Sequence, residues 1–294
     1  AGNASSFSIT VNPLPFISLP DNQMLCNREA SQPVIFNSFS GNVTYNWTNT
    51  MPSIGLSSNG TGNIPSFNAV NNSDTVQVAT VSITATDNGC SAAPVTFNIT
   101  VKPSPVVVLN DITVCQGSTV PGLMPASNLA GTQFSWTNSQ VAIGLAASGI
   151  GQIPSFTAQL PGTAPITSNV QVSSVASGCQ GLPVNMTITV NPLPQVTQPA
   201  NQSLCTGEMT SPVYFTGTQS AADYQWTNNQ TSIGLMQQGT GDIPSFTTVN
   251  YGSSPVSATV TVIPMLAACT GTPVDFTFTV YPLANLVQPL NQFL

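Results

Sequence analysis

The chain has 294 residues, only 4% of which are charged: nine are acidic, two are basic and none is histidine. A net charge of −7 with two cations cannot neutralise a phosphate backbone, which argues against nucleic-acid binding. The lack of histidine rules out Ser-His-Asp and Cys-His catalytic sets, and no apolar run approaches the roughly 18 residues of a membrane-spanning helix.

The first segment, residues 1–12, is predicted to be the C-terminal strand of a preceding repeat. Its sequence from Phe7 to Pro15 has the same pattern as Met186 to Pro194, which closes a later unit. No basic start followed by an apolar stretch marks a signal peptide. We therefore expect a window taken from a longer array.

The six cysteines reveal the period of this array. They fall into three successive pairs whose internal spacing is the same, and each pair begins about 90 residues after the one before it, which indicates three homologous units. Paired prolines between the units favour extended joints. The predicted repeats are 13–102, 103–191 and 192–281, followed by the start of a further repeat at 282–294.

Each unit is predicted to be an all-β sandwich. Its closing segment alternates strictly, with Val95, Phe97, Ile99 and Val101 on one face in the first unit, as is typical of a half-buried strand. No stretch has a sustained helical stripe, and 25 prolines and 22 glycines divide the chain into short segments. We expect tandem β-sandwich domains strung end to end as a rod.

Tryptophan recurs at the same place in every unit. Each one opens a Trp-Thr-Asn triplet, which is followed by Ile-Gly-Leu and by Gly-x-Gly-x-Ile-Pro-Ser-Phe; the three are Trp47, Trp136 and Trp226. We predict that they are core aromatics; the alternative is a platform on which sugars stack. The Gly-x-Gly step is predicted to be a turn, because a phosphate cradle would need a third glycine and a following helix.

The even number and constant spacing of the cysteines predict one disulfide inside each unit. The predicted bonds are Cys26–Cys90, Cys115–Cys179 and Cys205–Cys269. A metal site or catalytic thiols would need clustered ligands or recurring basic neighbours, which the sequence lacks. Asp242 aligns with Asn63 and Gln152, which argues against a repeated calcium ligand. We therefore predict no catalytic, metal or cofactor site, and an oxidising compartment outside the cytoplasm.

Together these motifs resemble the PKD-like, immunoglobulin-like repeats of giant cell-surface adhesins of Bacteroidota, which include gliding-motility adhesins of the SprB type. The resemblance covers essentially the whole chain. It implies immunoglobulin-like sandwiches, export by the type IX secretion system and a place at the cell surface. These bacteria O-glycosylate Asp-Ser/Thr-apolar sequences, so Asp74-Thr75-Val76 makes Thr75 a candidate glycosylation site.

The sequence favours a structural stalk or filament segment of a very large repetitive adhesin, without catalysis, that serves surface adhesion or gliding motility. Its partners would be neighbouring repeats of the same chain, while a tip elsewhere engages surface glycans or other cells. Two alternatives stay open: that the units are spacer domains of a secreted multimodular glycan-degrading enzyme, or that they bind glycans directly.

Overall fold

The computed structural model describes residues 3, 5–37 and 42–284 and is built from β-strands and three single-turn 3-10 helices. The strands form three six-stranded sheets, one in each cysteine-bearing unit. We call these units repeats 1, 2 and 3. Each has its own hydrophobic core, and no core cluster shares a residue with another.

Repeat 1 contains a sheet in which the first strand lies at one edge, beside the last. The spatial order is β1-β6-β4-β2-β3, and β5 pairs with β4. The strands are β1 Gln23–Cys26, β2 Thr44–Asn49, β3 Asn59–Thr61, β4 Gln77–Asp87, β5 Cys90–Ser91 and β6 Val95–Lys102. The pairing of β1 with β6 is parallel, whereas β4 is antiparallel to β2, β5 and β6.

Repeat 2 has the same sheet and adds four short strands from its second layer. The order β12-β11-β14-β16-β8 again puts the first long strand parallel to the last one. The strands are β7 Val107–Val108, β8 Ile112–Cys115, β9 Thr119–Val120, β10 Ala126–Ser127, β11 Gln133–Asn138, β12 Ser148–Ile150, β13 Phe156–Thr157, β14 Ile166–Ala176, β15 Cys179–Gln180 and β16 Val184–Asn191.

Repeat 3 follows the same plan. The sheet order is β17-β22-β20-β18-β19, and β17 is parallel to β22. The strands are β17 Gln202–Cys205, β18 Asp223–Asn228, β19 Gln238–Thr240, β20 Val256–Leu266, β21 Cys269–Thr270 and β22 Val274–Tyr281.

A second, less regular layer closes each sandwich. In repeat 2 it consists of the pairs β7–β10 and β9–β13. In repeats 1 and 3 isolated bridges replace the pair β9–β13, namely Ala30–Asn68 and Met209–Thr247. A further isolated bridge occurs at the same place in all three repeats: Val34–Ile64, Leu123–Ile153 and Val213–Ile243. This strand order over two layers is that of an immunoglobulin-like sandwich, so the predicted fold class is confirmed.

The alternation read from the sequence corresponds to the two faces of the main sheet. In β6 the side chains of Phe97, Ile99 and Val101 are buried, and the residues between them are exposed or half-buried. The long central strand β4 buries every second side chain from Ala79 to Asp87. Each core is therefore filled by period-two strands, and burial of these side chains drives each repeat to fold.

The Gly-x-Gly step has a role that the turn prediction missed. Its second glycine is indeed in a positive-φ turn, for example Gly151 at φ 69°. Its first glycine lies opposite the tryptophan on the neighbouring strand: Trp136 pairs with Gly149. A Cβ on Gly149 would lie 2.3 Å from Cζ2 of Trp136, and Gly60 and Gly239 stand in the same relation to their tryptophans. The indole ring therefore needs a residue without a side chain beneath it.

The asparagine of each Trp-Thr-Asn triplet links that strand to the Ile-Gly-Leu motif. The Nδ2 group of the buried Asn138 donates to the carbonyl of Leu145 at 2.9 Å. Asn49 and Asn228 make the same bond to the leucine seven residues ahead, at 2.9 and 3.1 Å. The loop in between contains the 3-10 helices at Pro52–Ile54, Val141–Ile143 and Thr231–Ile233.

Residues 5–12, predicted as a strand of a preceding repeat, are not hydrogen-bonded into any sheet. The side chains of Phe7, Ile9 and Val11 are 79–86% exposed. A strand is defined by its pairing partner, and none of the described sheets has an edge paired with this segment. Of the segment 282–294, only residues 282–284 are described; residues 285–294 lie outside the described part.

We expect Gly149→Ala to lower the free energy of unfolding of repeat 2 by about 1–3 kcal/mol, because the new methyl group would force Trp136 out of its rotamer. Gly162→Ala is the matched control, since a Cβ there meets nothing within 4 Å. Urea unfolding followed by tryptophan fluorescence measures both variants. Equal stability of the two would show that close contact between glycine and tryptophan is not required.

Candidate functional site

The disulfides join successive repeats rather than closing a loop within one. Cys26 of repeat 1 is bonded to Cys179 of repeat 2, with 5.5 Å between their Cα atoms, and Cys115 of repeat 2 is bonded to Cys269 of repeat 3, with 5.6 Å. Cys90 and Cys205 are free thiols. The predicted pairs Cys26–Cys90, Cys115–Cys179 and Cys205–Cys269 are therefore wrong.

The reason is the direction of the strands. We call the end of a repeat at which its last strand begins the near pole, and the end at which that strand finishes the far pole. In repeat 1, Cys26 lies opposite Lys102, at the far pole. Cys90 follows β4 and precedes Val95, the first residue of β6, and so lies at the near pole. The eight residues of β6 span about 23 Å, whereas a disulfide needs Cα atoms within about 7 Å.

Each joint therefore brings a strand end of one repeat to a hairpin tip of the next. The first cysteine ends the edge strand and is followed by a tight turn, in which the N–H of Ser118 donates to the carbonyl of Cys115 at 3.1 Å. The second cysteine follows a two-residue turn with positive φ angles, Ser177 and Gly178 at 50° and 83° in repeat 2. Such turns join antiparallel strands tightly, so the thiol projects from a well-defined tip.

Polar contacts accompany the disulfides at both joints. At the first, Nζ of Lys102 donates to the carbonyl of Ser177 at 3.3 Å, and Nδ2 of Asn128 donates to Oδ1 of Asp74. At the second, Nε2 of Gln219 donates to the carbonyl of Thr163 at 2.6 Å. Each joint therefore has a disulfide and at least one hydrogen bond, which restrict rotation of one repeat against the next.

The proline-containing linker packs closely on the repeat that follows it. A Cβ on Gly181 would lie 2.4 Å from the carbonyl oxygen of Pro105, and one on Gly271 would lie 1.8 Å from that of Pro194. Ser104, between the two linker prolines of the first joint, is buried. The linkers are thus part of the packed structure of the joint.

A side-chain oxygen just before the edge strand connects it to the last strand of the same repeat. In repeat 2, the N–H of Thr187 donates to Oδ1 of Asp111 at 2.7 Å; Asn22 and Asn201 accept the corresponding bonds in repeats 1 and 3. Donation from the backbone of Thr187 lowers the pKa of the Asp111 carboxyl, because the bond favours the charged form.

The structure places the other predicted site residues apart from the cysteines. Trp47, Trp136 and Trp226 are only 5, 3 and 3% exposed and lie in the three cores, so their rings offer no surface to a sugar. Thr75 is exposed in the loop before β4. Its neighbour Asp74 accepts the hydrogen bond from Asn128 of the next repeat, so the candidate glycosylation sequence lies beside the first joint.

A groove lies on repeat 2, on the outer face of its main sheet. It has a volume of about 600 Å³, and its lining includes Ser135, Ser173, Val175 and the 86% exposed Ile150. Phe134, the one aromatic residue in its lining, is 8% exposed. The groove offers hydroxyl groups and aliphatic surface but no open aromatic ring.

Within the described ranges, no group of three or more His, Cys, Asp or Glu side chains is arranged to hold a metal ion. No helix in the same part of the chain has both the length and the apolar character to cross a membrane.

No protein-family model matches the chain, and no curated protein matches its sequence. Solved structures do match. A variant of titin domains I67–I69 is 9% identical with a TM-score of 0.40, covering 92% of this chain and 99% of that one. Sidekick-1 immunoglobulin domains 1–4 are 12% identical with a TM-score of 0.35, covering 90% and 76%. Mouse cadherin-23 EC22–24 is 11% identical with a TM-score of 0.31, covering 89% and 96%. Likeness at this level carries no conclusion about function.

The cysteine pairing is directly measurable. Digestion of the unreduced protein should release peptides that join Cys26 to Cys179 and Cys115 to Cys269, and alkylation before reduction should modify Cys90 and Cys205 alone. Alkylation after denaturation without reductant should give the same two labels, because denaturation exposes thiols without breaking disulfides. A peptide joining Cys26 to Cys90, or Cys115 to Cys179, would contradict the structure.

The Asp111 bond makes a pH-dependent contribution to stability. Because the pKa is lowered by folding, this contribution is fully present above the ordinary value of 3.8 and is lost as the pH falls through the lowered pKa of the folded state. Asp111→Asn keeps an accepting oxygen, as Asn22 and Asn201 do, but cannot titrate. We expect the thermal midpoint of the wild type to fall more steeply below that ordinary value than the midpoint of the variant; parallel midpoint curves would contradict this role.

Proposed function

We propose that the chain is a structural stalk segment of a large extracellular adhesin, with no catalytic role. The observation that carries the proposal is the pair of disulfides between the far pole of one repeat and the near pole of the next. A bond of this kind fixes the spacing of neighbouring domains without contributing to any binding surface. Disulfides are also typical of oxidising, extracellular surroundings.

The composition supports the same function. A chain in which 4% of the residues are charged offers no strong field for steering a charged ligand. The chain instead consists of repeats of one compact unit, and each repeat has a separate core. This organisation suits an extended spacer. We propose the repeat boundaries 13–102, 103–191 and 192–281 for these units.

The resemblance to PKD-like repeats of Bacteroidota adhesins supports a more specific proposal. In it, the chain is exported by the type IX secretion system, lies at the cell surface, and serves adhesion or gliding motility through a tip elsewhere. Thr75 would carry an O-glycan there, and its exposure and loop position are compatible with modification. A glycan at that place would lie next to the contact between Asp74 and Asn128.

Direct binding of glycans by the repeats is the second candidate function, and the groove on repeat 2 favours it. Its serine hydroxyl groups could bond sugar hydroxyls, and Ile150 would pack against a ring face. Spacer domains of a multimodular glycan-degrading enzyme would need the same extended, cross-linked structure. The domains beside these repeats in the full protein distinguish that role from a place in an adhesin.

Small-angle scattering tests the stalk. Three sandwiches joined pole to pole should give a maximum dimension of about 110–130 Å, against about 40–50 Å for a compact globule of this size. We expect this dimension in the oxidised protein. A near-spherical profile would mean that the repeats pack side by side, and the stalk function would lose its physical basis.

A further inference from the structure

The disulfides create covalent routes along the array that are much shorter than the chain itself. Cys26–Cys179 joins residues 153 positions apart, and Cys115–Cys269 joins residues 154 positions apart. A pull on the array follows the shortest covalent route between its points of attachment. The pattern of disulfides therefore decides which segments carry a load and which do not.

Two segments between cysteines run along the array in extended form. Residues 90–115 and 179–205 contain strands and extended connections but no helix, turn or bend. Each starts at the near pole of one repeat, follows its last strand to the far pole, crosses the linker, and ends at the far pole of the next repeat. Because a residue extends at most about 3.6 Å, each segment has little slack over the two repeats that it spans.

The disulfides connect these segments into two lines. Line A comprises residues 17–26, the bond to Cys179, and residues 179–205. Line B comprises residues 90–115, the bond to Cys269, and residues 269–281. Both lines cross every repeat, as adjacent parallel strands: β1 and β6 in repeat 1, β8 and β16 in repeat 2, and β17 and β22 in repeat 3.

The rest of each repeat lies off both lines. The segments 27–89, 116–178 and 206–268 are equal in length and contain all the turns and 3-10 helices of the described repeats. They also include the tryptophans and the central strands β4, β14 and β20. Each begins after one cysteine and ends before another. It therefore branches from the lines and is not one of the segments connected in series along them.

We infer that the two lines carry tension along the array and that the sandwich cores are thereby shielded from it. In a string of domains without such bonds, tension enters each domain at its first strand and leaves at its last, so sufficient force unfolds it. Unfolding one repeat of about 90 residues would lengthen the string by about 270 Å, at about 3.5 Å per residue less the folded length. When the disulfide of line A or line B is intact, unfolding a repeat cannot increase the distance between two points on that line by this amount.

This inference deepens the proposed stalk function and rests on it for its biological use. The two tests are nevertheless separate. Scattering measures the shape at rest, and the experiment below measures lengthening under load. A protein that is extended but lengthens stepwise when oxidised would keep the stalk and lose the load-bearing lines.

The free thiol of Cys205 allows a direct test on line A. One DNA handle is fused at the N-terminus and the other is attached to Cys205 through a thioether, in a Cys90→Ser background so that labelling is unique. The oxidised route between the handles consists of residues 1–26 and 179–205, in place of the whole of 1–205. In an optical trap we expect no step of the length of an unfolding repeat while the disulfides are intact. After reduction we expect two such steps, because repeats 1 and 2 lie wholly between the handles.

A matched pair of variants isolates the line from the disulfides in general. Opening line A with Cys26→Ser and Cys179→Ser should restore at least the step of repeat 1. Opening line B with Cys115→Ser and Cys269→Ser should leave the oxidised trace without steps, because line A still joins the handles. Full-length steps in the oxidised wild type, or the same traces from both variants, would overturn the inference. The reduced wild type keeps the test valid if a variant fails to fold.

Discussion

The parallel pairing of the first and last strands of each repeat is the constraint on which the joints depend. Because β1 and β6 run in the same direction, the first cysteine emerges where the last strand ends, beside the linker to the next repeat. The hairpin with the second cysteine precedes the last strand and therefore lies at the other pole. Strand direction thus assigns every bonded cysteine a partner in a neighbouring repeat, and the linker prolines hold that neighbour in place.

Much of this fold follows from sequence periodicity, but the cysteine partners do not. Alternation in β6 predicts its buried face, since period-two burial is a property of the strand itself. In a periodic chain, however, the cysteine spacing is nearly constant whether the bonds lie within a repeat or between repeats. The interval from Cys26 to Cys90 recurs in every repeat, and the bonds between repeats span 153 and 154 residues. Only the pairing of Leu25 with Val101, and hence the direction of β1, decides between them. That contact is a property of the tertiary fold.

The periodicity of the sequence also does not predict the side-chain hydrogen bonds in the cores. The triplet containing Asn138 reads as strand, yet its amide satisfies a carbonyl seven residues ahead, because a 3-10 turn brings the chain back. Recurrence of asparagine at a fixed distance from Ile-Gly-Leu was the available signal. In a chain with so few charges, such amide and hydroxyl bonds take the place that ion pairs occupy elsewhere, and losing a buried one is strongly destabilising.

The placement of the cysteines also sets an order of maturation. A repeat that has folded alone holds two thiols at opposite poles, which cannot reach one another, so correct folding protects it from closing on itself. Cys26 can be oxidised to its partner only after residue 179 has been made and repeat 2 has folded into register. Each bond therefore records that two consecutive repeats have both reached their final form.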